Sequence, residues 1–200
     1  RVPWAALCGD DGVHLLQRHV VRVAPSLRVA ATARTLRAGC SRGSHAVVVG
    51  NPWPISAPLK ELCDAQEEAA LVSGILEPHF PQVQVLVREQ ATVAAVTGSM
   101  QGAGWVHVAC HGEVREARAS DGGEVGHYLL LATDGSSNGE LSKEEVGKVK
   151  LAPGATIVLS CCQSGLGQMT GEGVVGLSRA LFAAGAGELV VSVCSIPDAA

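Results

Sequence analysis

Short, continuous apolar runs recur along this sequence, each closed by glycine or by a polar turn, and they constrain its fold more than any other feature. Ala46–Gly50, for example, is followed directly by Asn51 and Pro52. Such runs are too short for helices and apolar on both faces, which is typical of buried strands in a parallel sheet. Strands are predicted at Ala46–Gly50, Val83–Val87, Trp105–Cys110, Tyr128–Ala132, Ala155–Ser160 and Leu189–Val193.

Amphipathic segments separate these runs. Ser142 and Glu145 have the spacing of a capping box, which starts a short helix. Longer helices are predicted at Ser26–Ala38, Pro58–Leu76, Thr92–Gly102 and Val174–Ala184, and the acidic residues from Glu61 to Glu68 are predicted to form a solvated helix face. The alternation predicts an α/β fold with a mostly parallel central sheet covered by helices on both faces.

Composition excludes several classes of protein. With 200 residues, of which 47% are hydrophobic and 17% charged, the chain has the material for a single domain spanning 1–200 and is not a disordered polypeptide. The net charge of -4 and scattered basic residues do not predict a nucleic-acid or membrane-surface partner. No apolar run has the length of a membrane span. Because the first residue is Arg1, we expect a piece of a longer protein.

The seven cysteines are irregularly spaced and include no C-x-x-C pair, which predicts reduced thiols and a cytoplasmic location. No cofactor and no metal are predicted. His107 and His111 are four apart, but they lie on a strand and the turn after it, with no third ligand evident. The G-x-G-x-x-G pattern from Gly171 to Gly176 lies too far from the preceding strand for a dinucleotide site.

Reactive side chains follow two of the predicted strands. His111 and Gly112 come directly after one strand, and Cys161 and Cys162 after another. Open α/β sheets form their sites at the carboxyl ends of parallel strands. If these two strands are neighbours, as we expect, an imidazole and a thiol meet there. That pairing suits cysteine nucleophilic catalysis, and the backbone N–H of Gly112 is a candidate oxyanion donor.

These residues also carry a resemblance. His-Gly after one apolar strand and Leu-Ser-Cys-Cys-Gln-Ser-Gly after another resemble the CHAT domain, a module of the caspase-like clan of cysteine peptidases. The similarity covers nearly the whole chain. It includes His14–Leu16, Ala24–Arg28, Val49–Pro52, Ala65–Ala69, Gly171–Val174, Leu177–Ala180 and Ala183–Ala186.

The resemblance implies a caspase-like three-layer fold and a cysteine endopeptidase acting on protein or peptide substrates. His111 would be the catalytic histidine and Cys162 the nucleophile, with the backbone N–H groups of Gly112 and Cys162 forming the oxyanion hole. It also implies tetratricopeptide repeats in the same full-length chain. The alternative is a catalytically inactive, caspase-like interaction module in a repeat-containing scaffold.

Two further expectations concern the residues around the dyad. Successive residues leaving a strand point in opposite directions, so Cys161 and Cys162 cannot both face the site. The resemblance implies that Cys162 takes the outward position and Cys161 a small buried one. The Gly-rich polar segments Glu113–Gly126 and Gln163–Gly173 are predicted to be the most mobile loops.

Overall fold

A computed structural model describes residues 7–20, 22–24, 26–39, 43–115, 126–161, 169–170, 173–174 and 176–192. In chain order the strands are β1 (His45–Gly50), β2 (Gln82–Val87), β3 (Trp105–Ala109), β4 (His111–Arg115), β5 (Gly126–Leu130), β6 (Glu140–Leu141), β7 (Ala155–Ser160), β8 (Met169–Thr170), β9 (Gly173–Val174) and β10 (Ala186–Val191). The helices are α1 (Leu15–Arg18), α2 (Leu27–Gly39), α3 (Cys63–Leu76), α4 (Val93–Ser99), α5 (Lys143–Val146) and α6 (Leu177–Ala183).

The central sheet is parallel, with the strand order β10-β7-β3-β1-β2. Alternate residues of β1 enter different cores, because side chains alternate across a sheet. Val48 packs with Ala69 and Leu76 of α3 on one face, whereas Val47 belongs to the larger cluster containing Val96 of α4 and residues of α5 and α6 on the other. Helices therefore cover both faces, which confirms the predicted three-layer α/β architecture.

Three predicted boundaries are wrong at the edge where the strands end. α3 begins at Cys63 rather than Pro58, because the backbone N–H of Leu62 bonds the Asn51 side chain instead. The segment from His111 is not a turn but strand β4, antiparallel to β5. α6 begins at Leu177 rather than Val174, since Gly176 has a φ of 118°, a conformation outside the helical region.

Gly50 lets α3 approach the end of β1. A Cβ at this position would lie 2.5 Å from both the carbonyl oxygen of Ala65 and the Cβ of Ala69. Only glycine permits that contact. The first turns of α3 are thereby brought against the carboxyl edge of the sheet, where the predicted site lies.

Two other expectations concern the mobility of the loops and the absence of a membrane-spanning segment. Of the loops predicted to be most mobile, 116–125, 163–168 and 171–172 lie outside the described residues, and mobility stays a prediction. The described helices include none that is both long and apolar enough to cross a bilayer.

Candidate active site

Two strand ends meet in the middle of the carboxyl edge. β3 and β7 are parallel neighbours, with Ala109 opposite Ser160, which confirms that the segments carrying the histidine and the cysteines lie side by side. His111 comes two residues after Ala109, and Cys161 comes directly after Ser160. Cys162 lies outside the described residues, so its thiol and its backbone N–H remain predictions.

The His111 ring is held by a main-chain oxygen from a distant segment. Its Nε2 lies 2.7 Å from the carbonyl oxygen of Lys60. Because a carbonyl oxygen only accepts, Nε2 carries the proton of the neutral ring and Nδ1 does not. Gly112, the predicted oxyanion donor, is half-buried and lies opposite Leu129 on β5. The site thus contains a histidine in a fixed tautomer, with the predicted donor directly after it.

Buried thiols lie behind the histidine. Cys110 and Cys161 are 2% and 4% exposed, so the prediction that Cys161 occupies a buried position is confirmed. Hydrogen bonding to the Cys161 thiol, together with burial, raises the pKa of Cys110 well above its ordinary value, against a smaller opposite effect of the Leu130 backbone. Cys110 also donates to the carbonyl oxygen of His111 at 3.3 Å. Protonated at neutral pH, Cys110 is a packing residue rather than a nucleophile.

Glu68 links the same two strands from the helix side. Its Oε1 lies 2.9 Å from Nε2 of the buried His107, and its Oε2 accepts a 3.2 Å hydrogen bond from the Ser160 hydroxyl. The contact with His107 is short but lacks the alignment of a hydrogen bond, so we treat it as an electrostatic contact. Burial lowers the pKa of His107, while Glu68 raises it. The spacing predicted a solvated helix face, but Glu68 is only partly exposed and contacts two strands of the sheet, whereas Asp64 and Glu67 are exposed.

Glu61 is likewise engaged rather than solvated. Its Oε1 accepts a 3.0 Å hydrogen bond from the Asn51 amide and is ion-paired with Arg88. Asn51 is 1% exposed and also accepts from the backbone N–H of Leu62 at 3.1 Å. Sequence reasoning missed the roles of Lys60, Glu61 and Arg88. Lys60 and Glu61 lie in a segment without helix or strand and Arg88 begins a three-residue 3-10 helix, and neither carries a periodic signal. The Gly-Asn-Pro turn after β1 was the one clue to an anchored segment.

No three His, Cys, Asp or Glu side chains among the described residues converge to hold a metal ion. The two histidines that are four apart are turned to different partners. His107 contacts Glu68, and His111 contacts the carbonyl of Lys60.

Comparisons with known proteins add a family. The family model of the CHAT domain matches residues 1–200. Tetratricopeptide repeat protein 28 of Homo sapiens is 29% identical over 239 residues, an alignment that covers 100% of this chain and 9% of that protein. The crystal structure of protein GSU0716 from Geobacter sulfurreducens is similar with a TM-score of 0.42 and 16% identity, covering 61% of this chain and 51% of the other. The chain therefore spans only a small part of its human relative.

Proposed function

The chain belongs to the CHAT domain family, and from that premise we propose that it is a caspase-like cysteine endopeptidase domain that cleaves protein substrates with His111 and Cys162. The observation that carries the proposal is the 2.7 Å contact between Nε2 of His111 and the Lys60 carbonyl oxygen. That contact orients the half-buried ring at the carboxyl edge of the sheet and leaves the lone pair on Nδ1, which a histidine that exchanges protons with a thiol requires.

The fixed tautomer assigns the proton-transfer atom. Because Nε2–H donates a hydrogen bond to the Lys60 carbonyl oxygen, the lone pair lies on Nδ1. That lone pair takes the proton of the Cys162 thiol. The resulting imidazolium keeps its Nε2 hydrogen bond and carries a second proton on Nδ1. The Lys60 carbonyl dipole stabilises that positive charge, which favours the thiolate.

The reaction then proceeds through an acyl-enzyme. The Cys162 thiolate attacks the peptide carbonyl carbon, and the backbone N–H groups of Gly112 and Cys162 bind the oxyanion. Nδ1–H of His111 protonates the leaving amine as the C–N bond breaks, which leaves a thioester. Water gives a proton to Nδ1 and attacks the thioester, so that the acid product is released and the thiol is restored.

A second candidate is a non-catalytic interaction module in a repeat-containing scaffold. The match to a tetratricopeptide repeat protein favours it, because only 9% of that protein corresponds to this chain. Both candidates place the domain in a longer chain with such repeats. They differ in whether the Cys162 thiol is activated by His111.

A peptide probe with an acyloxymethyl ketone group tests this difference. At neutral pH it is expected to alkylate Cys162 in the folded protein, with the position read by peptide mass spectrometry. His111→Gln is expected to lose the labelling, because the thiol is no longer deprotonated. Cys161→Ala is the matched control and keeps it. Labelling that does not depend on His111, or none in the folded wild-type protein, contradicts the peptidase and favours the scaffold.

A further inference from the structure

The Lys60 carbonyl that orients His111 belongs to an irregular segment, 51–62, without helix or strand. In such a segment the direction of a carbonyl is not set by a backbone ladder. Something else must hold this one against the ring. The contacts on either side of Lys60 identify what does.

Asn51 and Arg88, which directly follow the adjacent strands β1 and β2, hold the segment by side-chain contacts. The Asn51 side chain accepts from the Leu62 N–H at 3.1 Å and donates to Glu61 Oε1 at 3.0 Å, and Arg88 is ion-paired with the same oxygen of Glu61. Asn51 is itself fixed to β3 by a 3.1 Å bond from its N–H to the Ala109 carbonyl. Lys60 is thus the residue directly before two clamped ones.

Asn51 and Arg88 both have unusual backbone conformations. Asn51 has a φ of 47° and Arg88 a φ of 51°, in the left-handed region that residues other than glycine seldom adopt. The Arg88 N–H bonds the Asn51 carbonyl at 3.1 Å. The two left-handed turns are therefore joined, and the side chains of both converge on Glu61. Such conformations persist where surrounding contacts determine them, often beside functional sites.

We propose that Asn51, Glu61 and Arg88 are positioning residues for His111: they clamp the segment so that the Lys60 carbonyl holds the histidine in its Nε2-protonated form. The inference rests on the proposed peptidase function for its kinetic consequence. The geometric claim itself does not need activity. None of the three side chains contacts the ring, and they act through Lys60.

The test uses two matched ion pairs. Arg88 and Glu61 have side chains 37% and 28% exposed. Arg37 and Glu188, paired at 3.0 Å at the opposite edge of the sheet, are 38% and 29% exposed. Arg88→Gln and Arg37→Gln each remove an arginine of similar exposure from an ion pair, and Glu188 keeps Arg22 as a second partner at 3.2 Å. Only Arg88→Gln loosens the Lys60 segment. Arg88→Lys restores the charge and serves as the rescue variant.

The first readout is solvent exchange of the His111 Nε2 proton, followed by NMR on ¹⁵N-histidine-labelled protein and assigned with His111→Gln. We expect Arg88→Gln to speed this exchange by on the order of 10-fold, with Arg88→Lys closer to wild type and Arg37→Gln unchanged. The second readout is peptide cleavage, in which Arg88→Gln lowers kcat by on the order of 10-fold with little change in KM.

An exchange rate that is the same in wild type, Arg88→Gln and Arg37→Gln overturns the proposal, as does an equal change in both variants. If the wild-type protein cleaves no peptide, the proposed function fails while the exchange measurement still decides the clamp. If Arg88→Gln does not fold, Glu61→Gln replaces it. That variant keeps an oxygen for Asn51 and removes only the charge that Arg88 needs, and unchanged exchange there also overturns the clamp.

Discussion

The two halves of the candidate site are held in place by different physical means. On the histidine half, His111 bonds the Lys60 carbonyl oxygen, and the residues directly after Lys60 are held by the clamp of Asn51, Glu61 and Arg88. On the cysteine half, Cys161 sits in the apolar core with the thiol of Cys110 against it. Polar contacts thus determine the orientation of the His111 ring, whereas packing determines the position of Cys161 at the end of β7.

The difference matches what the proposed function requires. If His111 is a general base, it needs one tautomer and one direction, which hydrogen bonds supply with angular precision. The strand end that carries Cys161 is held chiefly by close packing, with one hydrogen bond from Ser160 to the Glu68 carboxylate. The raised pKa of Cys110 follows from the same packing and keeps that thiol out of the chemistry.

The largest expected effect is a difference in cleavage activity between variants of the two adjacent cysteines, Cys161 and Cys162. If the domain is active, Cys162→Ala abolishes cleavage, a loss on the order of 10³-fold or more in rate. Cys161→Ala removes a buried sulfur, so it costs about 1 kcal/mol of stability and leaves most of the activity. Steady-state kinetics of both variants on one peptide substrate make the comparison. An inactive Cys161→Ala beside an active Cys162→Ala would mean that the catalytic register is shifted by one residue.

The next prediction compares how much the polar contacts of each half contribute to the free energy of unfolding. Asn51→Ala leaves the Leu62 N–H and Glu61 without their buried partner and strains a left-handed position, so it is expected to lower the free energy of unfolding by about 2–3 kcal/mol. Ser160→Ala loses one hydrogen bond to a partly exposed carboxylate, worth less than about 1 kcal/mol.

Urea unfolding of both variants measures these costs. Asn51→Gly is the control, because glycine tolerates the left-handed conformation and isolates the lost hydrogen bonds from the backbone strain. Equal costs for Asn51→Ala and Ser160→Ala would show that the histidine half is no more dependent on polar contacts than the cysteine half.

The smallest expected effect is a pH dependence of folding stability, which arises from His107 beside the cysteine half. Burial lowers the pKa of His107 below its ordinary value of 6.5, against the opposing charge of Glu68. Below that value the unfolded chain binds more protons than the folded one, so the stability from neutral His107 is present at higher pH and lost as the pH falls. His127 adds to this slope, because burial and Lys143 also lower its pKa.

Urea titrations at about pH 7.5 and about pH 5.5 check this prediction. The unfolding midpoint of the wild type is expected to fall at the lower pH, and that of His107→Gln to fall less. His127→Gln is the matched variant at the second site. If His107→Gln shows the same fall in unfolding midpoint between the two pH values as the wild type, Glu68 offsets the effect of burial on the pKa of His107 completely.

Much of this architecture follows from local pattern. The apolar runs predicted the five strands of the central sheet, since a segment buried on both faces must be apolar throughout. The family resemblance implied a buried Cys161, and the capping-box spacing of Ser142 and Glu145 predicted the start of α5, of which Ser142 is the N-cap. That the His111 and Cys161 segments are neighbours was expected from the family resemblance, because the rules of parallel sheets place sites at strand ends but do not fix which strands are adjacent.

Only the tertiary structure decided how the histidine is held. Lys60 and His111 are 51 residues apart, and Glu68 and Ser160 are 92 apart, so no fixed spacing links either pair. The charges of Glu61 and Glu68 looked like a solvated helix face, because periodicity records which residues share a face and not what that face meets. α3 begins late because Asn51 takes the N–H of Leu62. Secondary structure is a local property of the chain, whereas the partner of a polar group depends on which distant segment the fold brings beside it.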